Sequence, residues 1–278
     1  MIKFAFFGTP ELTTVILNSL KKENLLPSLV VTTPDKPKGR KLVLTPSPAK
    51  VWATENNIPC LQPEKLDEDF VLKMAAEHFD LFVVVAYGKI LPERLISAAK
   101  YGTVNVHYSL LPKYRGATPV EAAILNGDTE TGVSIQKMRF KLDTGPILVS
   151  EKVGVSAGVT ARELRDTLNE KAAAILSSVI RDFVAGKIIP AAQDETQAMS
   201  CGKIKKEDGL IDLSGDAVMN YRKYRAYFDW PRTYFFENGA RVIISKAKFE
   251  NGVFVIEKVI PEGKKEMLFS DFFSRKNL

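Results

Sequence analysis

The sequence is short of the residues that build disulfide frameworks and zinc sites. In 278 residues it has two cysteines, Cys60 and Cys201, and two histidines, His78 and His107. The cysteines are far apart and form no Cys-x-x-Cys pair. No zinc site is expected, and both read as reduced thiols of a cytoplasmic protein. No apolar run approaches the roughly 18 residues that span a bilayer, so no membrane partner is expected. Residues 1–7 are apolar but break at Gly8-Thr9-Pro10, too short a stretch for a signal peptide. The spaced glycines of a dinucleotide fingerprint and the Lys-Ser/Thr of a phosphate loop are both missing, so Gly8-Thr9-Pro10 reads as a tight turn. There is no internal repeat and no low-complexity tract. Neither charge sign dominates: 39 Lys and Arg stand against 33 Asp and Glu, for a net +6. Residues 203–278 carry 15 of these cations against 11 acids. This mild excess is compatible with an anionic partner without demonstrating one.

The remaining text, 45% hydrophobic and 26% charged, is that of an ordinary globular chain large enough for one big domain or two smaller ones. Apolar segments at 2–7, 29–33 and 81–86 read as strands, the last apolar enough to be buried on both faces of a parallel sheet. Leu12, Val15, Ile16 and Leu20 give an amphipathic helix after the first strand. A basic, proline-rich loop covers 34–48, and helices are expected over 49–55 and 68–78. A short strand at 103–107 leads into a loop through 116. Then come a helix at 118–126, strands at 133–138 and 147–155, and a long amphipathic helix at 160–185. Alternating strands and helices predict an α/β fold with a doubly wound, mostly parallel sheet. Past 186 the pattern changes. Short strand-like runs at 233–236, 241–245 and 253–259 are separated by the turn pairs Asn238-Gly239 and Asn251-Gly252. The expected division is a catalytic domain over 1–188, a linker over 189–206 and a small β-rich domain over 207–278.

In open parallel sheets, ligands bind beyond the carboxyl ends of the strands. Two such ends are rich in polar groups. In Asn105-Val106-His107, strand alternation puts the carboxamide and the imidazole on one face. Together they can donate hydrogen bonds to one oxygen, as an acyl-transfer transition state requires. A lone histidine serves structure more often than catalysis, and the neighbouring asparagine keeps both readings open. The second end is Leu142-Asp143-Thr144-Gly145. Asp-Thr-Gly is usually a turn, but an aspartate that meets a histidine can orient it and accept a proton. His78, at a helix end, reads as structural. The apolar Leu110-Leu111-Pro112 directly after the histidine could pack under a flat heterocycle or under a helix. The segment Tyr87-Gly88-Lys89-Ile90-Leu91-Pro92 would supply a second wall. Asp35-Lys36-Pro37-Lys38-Gly39-Arg40-Lys41 is either a solvated charge run or a rigid loop that meets a nucleic-acid backbone.

Three separated motifs occur in a specific order: Asn105-Val106-His107, Ser109-Leu110-Leu111-Pro112-Lys113-Tyr114-Arg115-Gly116 and Leu142-Asp143-Thr144-Gly145. Together they resemble the formyltetrahydrofolate-dependent formyltransferases. Within that family, Phe7-Gly8-Thr9-Pro10, the loop from Pro34 to Arg40, Pro46-Ser47-Pro48-Ala49-Lys50 and Lys206-Glu207-Asp208-Gly209-Leu210-Ile211-Asp212 look like the members that formylate methionyl-initiator tRNA for translation initiation. The resemblance runs to about Pro231. It implies a Rossmann-like catalytic domain and a C-terminal β-barrel similar to an OB fold. It also implies 10-formyltetrahydrofolate as co-substrate, no metal, and a monomer. Asn105, His107 and Asp143 would then be catalytic. Ser109, Leu110, Leu111, Pro112, Tyr87, Gly88, Ile90, Leu91 and Pro92 would line the folate pocket. Lys36, Lys38, Arg40, Lys41, Lys205 and Lys206 would meet tRNA. The sequence departs from the family after Arg40, where Leu42 and Val43 replace further cations, and in a last domain that is shorter than usual. The rivals are transfer to an amino-sugar nucleotide or another amine, hydrolysis that releases formate, and a non-catalytic RNA-binding relative.

Overall fold

The computed structural model describes residues 2–39 and 42–274. In chain order the first elements are β1 (Phe4–Gly8), α1 (Leu12–Lys22), β2 (Leu29–Val31), β3 (Lys36–Lys38), β4 (Val43–Thr45), α2 (Pro48–Glu55) and β5 (Cys60–Leu61). Next come α3 (Glu68–Ala76), β6 (Leu81–Val85), α4 (Glu93–Ile96), β7 (Thr103–His107), β8 (Arg115–Gly116), α5 (Pro119–Asn126), β9 (Glu130–Lys137), β10 (Ile147–Gly154) and α6 (Ala161–Val184). The chain continues with β11 (Ser200–Cys201), α7 (Ala217–Ala226), β12 (Tyr234–Glu237), β13 (Ala240–Glu250), β14 (Val253–Pro261), β15 (Met267–Leu268) and α8 (Phe269–Ser274).

The expected doubly wound sheet is present. Seven strands run in the order β10-β9-β7-β6-β1-β2-β5. The pairs β5–β2, β2–β1, β1–β6 and β6–β7 are parallel, while β7–β9 is antiparallel. The central strands β1 and β6 are buried at every position, which is why both read as unbroken apolar runs rather than alternating ones. One face of the sheet carries Ala5, Phe7, Phe82 and Val84 against Phe70, Met74 and Leu95 of α3 and α4. Toward the other lie α1 and α6, bound to each other where Ser19 Oγ donates to the Ala173 carbonyl (2.7 Å) and Asn169 Nδ2 to the Leu12 carbonyl (2.9 Å).

Several elements differ from the sequence reading, among them the helices α4, α7 and α8, which it did not anticipate. The first helix begins at Leu12, after the expected Gly8-Thr9-Pro10 turn, with Thr13 N and Oγ1 both bonded to the Pro10 carbonyl. The proline-rich loop holds an antiparallel hairpin, β3–β4, whose prolines and lysines show no alternation because both faces are largely exposed.

The chain forms two compact units that are not contiguous in sequence. The first comprises residues 1–115, 132–152 and 166–199; the second comprises 116–131, 153–165 and 200–278. Of the residues expected as a linker, 189–199 are stitched into the first unit and 200–206 belong to the second. Ala191 exchanges backbone hydrogen bonds with Ile147 (2.7 and 2.8 Å), and Met199 N bonds the Pro112 carbonyl (3.1 Å). Their aperiodic composition reflects these partners in other segments, since no amphipathic face is needed.

In the second unit, β12-β13-β14-β15 form an antiparallel four-stranded sheet. Both Asn-Gly pairs sit at hairpin turns with all four residues at positive φ, the conformation these residues tolerate best. The core is aromatic: Tyr224 of α7, Phe235, Val242, Ile244 and Val259, with Phe254, Phe269 and Phe272 packed against them.

Candidate active site

The site grows from β7 and β9. Asn105 pairs with Gln136 and His107 with Ser134, so these four side chains share one face of the sheet. After β9 the chain turns at Asp143, which adopts φ +52°, and returns so that Lys137 N bonds the Pro146 carbonyl (2.9 Å). Aspartate tolerates this left-handed conformation better than most residues. The return brings Asp143 Oδ2 to 3.6 Å from His107 Nδ1, with both side chains more than nine-tenths buried. Of the two polar strand ends, the structure thus joins histidine to aspartate. Among the described residues, the half-buried Asn105 carboxamide makes no hydrogen bond.

The histidine's tautomer follows from its partners. Its Nε2 lies 2.9 Å from the Tyr114 carbonyl, which can only accept, so Nε2 carries a proton. Nδ1 is the ring nitrogen on the side of Asp143. The carboxylate is also held elsewhere: Gln136 Nε2 donates to Asp143 Oδ1 (2.8 Å).

The candidate cofactor residues have mixed placements. Ser109 is fully buried and donates to the Lys113 carbonyl (2.5 Å). Leu111 is buried, its N–H bonding Ser134 Oγ (3.0 Å), while Leu110 and Pro112 are half-buried. The second wall is the loop after β6. Thr9 Oγ1 donates to the Tyr87 carbonyl (2.9 Å) and Lys89 Nζ to the carbonyls of Pro63 and Glu64 (2.7 Å each). Leu91 is buried, Pro92 is half-buried, Gly88 is exposed, and Ile90 projects with 82% of its surface exposed. Tyr87 is buried edge-on to Phe7 (5.5 Å), its hydroxyl has no partner among the described residues, and burial pushes its phenol up to about 12. Sequence reading passed over Phe140 and Leu142, which are 60% and 63% exposed on the loop that carries Asp143. Two apolar side chains flanking a cationic residue in a turn were the available signal.

Of the candidate RNA contacts, Lys36 and Lys38 are exposed on β3, beside the exposed Leu42, Val43 and Leu44. Lys205 and Lys206 are exposed at a short 3-10 turn. Arg40 and Lys41 lie outside the described residues. Among the described residues, no three His, Cys, Asp or Glu side chains gather as metal ligands, and no helix is long and apolar enough to cross a membrane.

The end of β7 thus brings together an imidazole and a carboxamide on one sheet face and the carboxylate of the neighbouring turn. Residues 2–180 match the formyl transferase family and residues 203–253 its C-terminal domain; the chain belongs to the formyl transferase family. It is 43% identical over 235 residues to a methionyl-tRNA formyltransferase of Geobacillus sp., covering 84% of this chain and 74% of that one. It is 35% identical to the methionyl-tRNA formyltransferase of Bacillus velezensis, covering 100% of this chain and 96% of the relative. Two solved structures share the fold. A Helicobacter canadensis N-formyltransferase in complex with folinic acid and dTDP-3-aminofucose has a TM-score of 0.69 at 19% identity, over 90% of this chain and 89% of that one. The Clostridium thermocellum methionyl-tRNA formyltransferase has a TM-score of 0.64 at 18% identity, over 94% and 99%.

Proposed function

We propose that this protein transfers the formyl group of 10-formyltetrahydrofolate to the α-amine of methionyl-initiator tRNA. The observation that carries the chemistry is the convergence of Asn105, His107 and Asp143 beside a loop of exposed apolar side chains. The acceptor is supported by curated relatives of that name, matched over most of the chain.

In this reaction the amine nitrogen attacks the formyl carbon and a C–N bond forms. The bond from that carbon to the folate nitrogen then breaks. The amine loses a proton and the folate nitrogen gains one, so protons balance. Negative charge gathers on the formyl oxygen between the two steps. Asn105 donates an N–H to it. His107 reaches it only through Nδ1, since Nε2 is committed to Tyr114. That donation needs a proton on Nδ1, and the carboxylate of Asp143 offsets the resulting charge. Asp143 takes the proton from the amine through water. Preorganised donors of this kind are commonly the largest catalytic contribution in acyl transfer.

For the folate, Ile90, Phe140 and Leu142 offer apolar cover to a flat ring, and the orphaned Tyr87 hydroxyl fits a pocket that presents polar atoms to a heterocycle. Lys36, Lys38, Arg40, Lys41, Lys205 and Lys206 are the proposed tRNA contacts. The domain reading is 1–188 catalytic, 189–206 connecting and 207–278 RNA-binding, in a cytoplasmic monomer that uses no metal. The deciding experiment supplies 10-formyltetrahydrofolate with either methionyl-initiator tRNA or an amino-sugar nucleotide. Formylation of the tRNA alone is expected; formylation of the sugar alone, or of neither, overturns the proposal.

A further inference from the structure

Asp143 is gripped from two sides by two carboxamides, each with its amide orientation dictated by its partners. Gln136 is 1% exposed. Its Oε1 accepts from the Gly145 N–H (3.2 Å), so its Nε2 is turned to Asp143 Oδ1 (2.8 Å). A flipped amide would set a carbonyl against a carboxylate and two N–H groups against each other. One side chain therefore spans the turn from the carboxylate of Asp143 to the backbone of Gly145. From the connecting segment, Gln193 Nε2 donates to the Asp143 carbonyl (2.9 Å) and the Gly145 carbonyl (2.7 Å). Its Oε1 accepts from Arg115 Nε (2.9 Å) and Nη2 (2.8 Å). Arg115, 7% exposed, is held in turn by both oxygens of Glu195 (2.7 and 2.9 Å). It is also the chain neighbour of Tyr114, whose carbonyl fixes His107.

We infer that Gln136 and Gln193 are positioning residues of the transfer reaction, setting Asp143 against His107 from its carboxylate and from its backbone, with the Arg115–Glu195 pair locking Gln193. This rests on the proposed formyl transfer and goes beyond it, because Gln136 acts through the Asp143 carboxylate and Gln193 through the backbone of its turn. A turn that carries a left-handed aspartate is free to drift unless its polar groups are pinned. Misplacing a catalytic group by about 1 Å can cost on the order of 10²-fold in rate. The two grips are chemically distinct. Glutamate at 136 keeps the shape but turns an anion toward Asp143. Glutamate at 193 keeps the Arg115 pair but loses both donors to the turn.

The test is steady-state formylation by the full chain and by Gln136→Glu, Gln136→Met, Gln193→Glu and Gln193→Met, with thermal midpoints measured alongside. The expected result is a fall in kcat of about 10²-fold for both Gln136 variants and about tenfold or more for both Gln193 variants. KM for folate and for the amine acceptor should stay within about twofold. Because a smaller folded fraction would also lower apparent kcat at constant KM, unchanged thermal midpoints are required to assign the fall to Asp143. Full kcat in the Gln193 variants, or equal changes in kcat and KM, overturns the inference. Should the buried Gln136 variants fail to fold, the Gln193 variants on the partly exposed segment decide it. If the unaltered chain formylates nothing, it is the proposed function that fails, a result distinct from active but indifferent variants.

Discussion

A β-carbon placed on Gly145 would stand 1.8 Å from the carbonyl oxygen of Lys137. The turn that carries Asp143 is thus pressed onto the end of β9 closer than any other residue type permits. Gly145→Ala should force the turn away from the strand, costing about 1–3 kcal/mol of stability as overpacking does. It should also lower formyl transfer more than it lowers the folded fraction. Denaturant midpoints measured beside kcat will separate the two effects. A variant that keeps full turnover would show that the close approach does not hold the site.

The Asn105 carboxamide makes no hydrogen bond among the described residues, so truncating it leaves no buried partner unsatisfied. Asn105→Ala should therefore fold normally. It should lose on the order of 10²–10³ in kcat, the usual cost of an oxyanion donor, with little change in folate KM. Turnover equal to that of the unaltered chain would remove Asn105 from the catalytic set.

The Tyr87 hydroxyl is buried without a partner, and its phenol is pushed up to about 12 by burial. Between pH ~10 and about 12 the unfolded chain gives up this proton while the folded chain keeps it. Stability contributed by Tyr87 is therefore present below pH ~10 and is lost as pH rises toward the folded value. Tyr87→Phe should abolish that part of the alkaline loss and fold at least as stably at neutral pH, since an unsatisfied hydroxyl is removed. Urea midpoints across pH 9–12 will show it. A raised folate KM in the same variant would mean that the hydroxyl meets the cofactor.

Glu195 is held below the usual carboxylate range, first by its hydrogen bond from Arg115 and then by that charge. Its contribution is present above the ordinary glutamate value and is lost as pH falls through the lowered one. The stability difference between the unaltered chain and Glu195→Gln should therefore be constant at neutral pH and vanish in acid. A difference that persists at pH 2 would mean that the pair acts through shape rather than charge.

Lys36 and Lys38 are exposed and have no carboxylate partner among the salt bridges of the described residues. If their hairpin meets RNA phosphates, Lys38→Ala should reduce the slope of log affinity against log salt by about 1 while leaving the folate KM unchanged. An unchanged slope would assign the hairpin another role.

The longer helices of the first unit, its central parallel strands and the two Asn-Gly hairpins were legible because each follows from local chemistry, whereas α7, with no clear apolar stripe, was not. Unbroken apolar runs such as Leu81–Val85 bury both faces, 3.6-residue spacing gives α6 its stripe, and Asn-Gly tolerates positive φ. Asn105 and His107 could be placed on one face for the same reason, since alternation along a strand is local. Whether Asp143 reaches His107 is not local: it depends on how the chain returns after β9, and that return is set by Gly145 against Lys137 and by the grip of Gln136. The hairpin inside the proline-rich loop escaped notice because neither of its faces is buried. Gln193, Arg115 and Glu195 gave no signal, because a hydrogen-bond network between segments some 80 residues apart leaves no period in the text. By itself the sequence determined the longer helices and central strands, the doubly wound and mostly parallel class of the sheet, and the residue types proposed for acyl transfer. Only the tertiary structure decided which of those residues meet, because meeting depends on loop closure and on polar groups that find their partners across the fold.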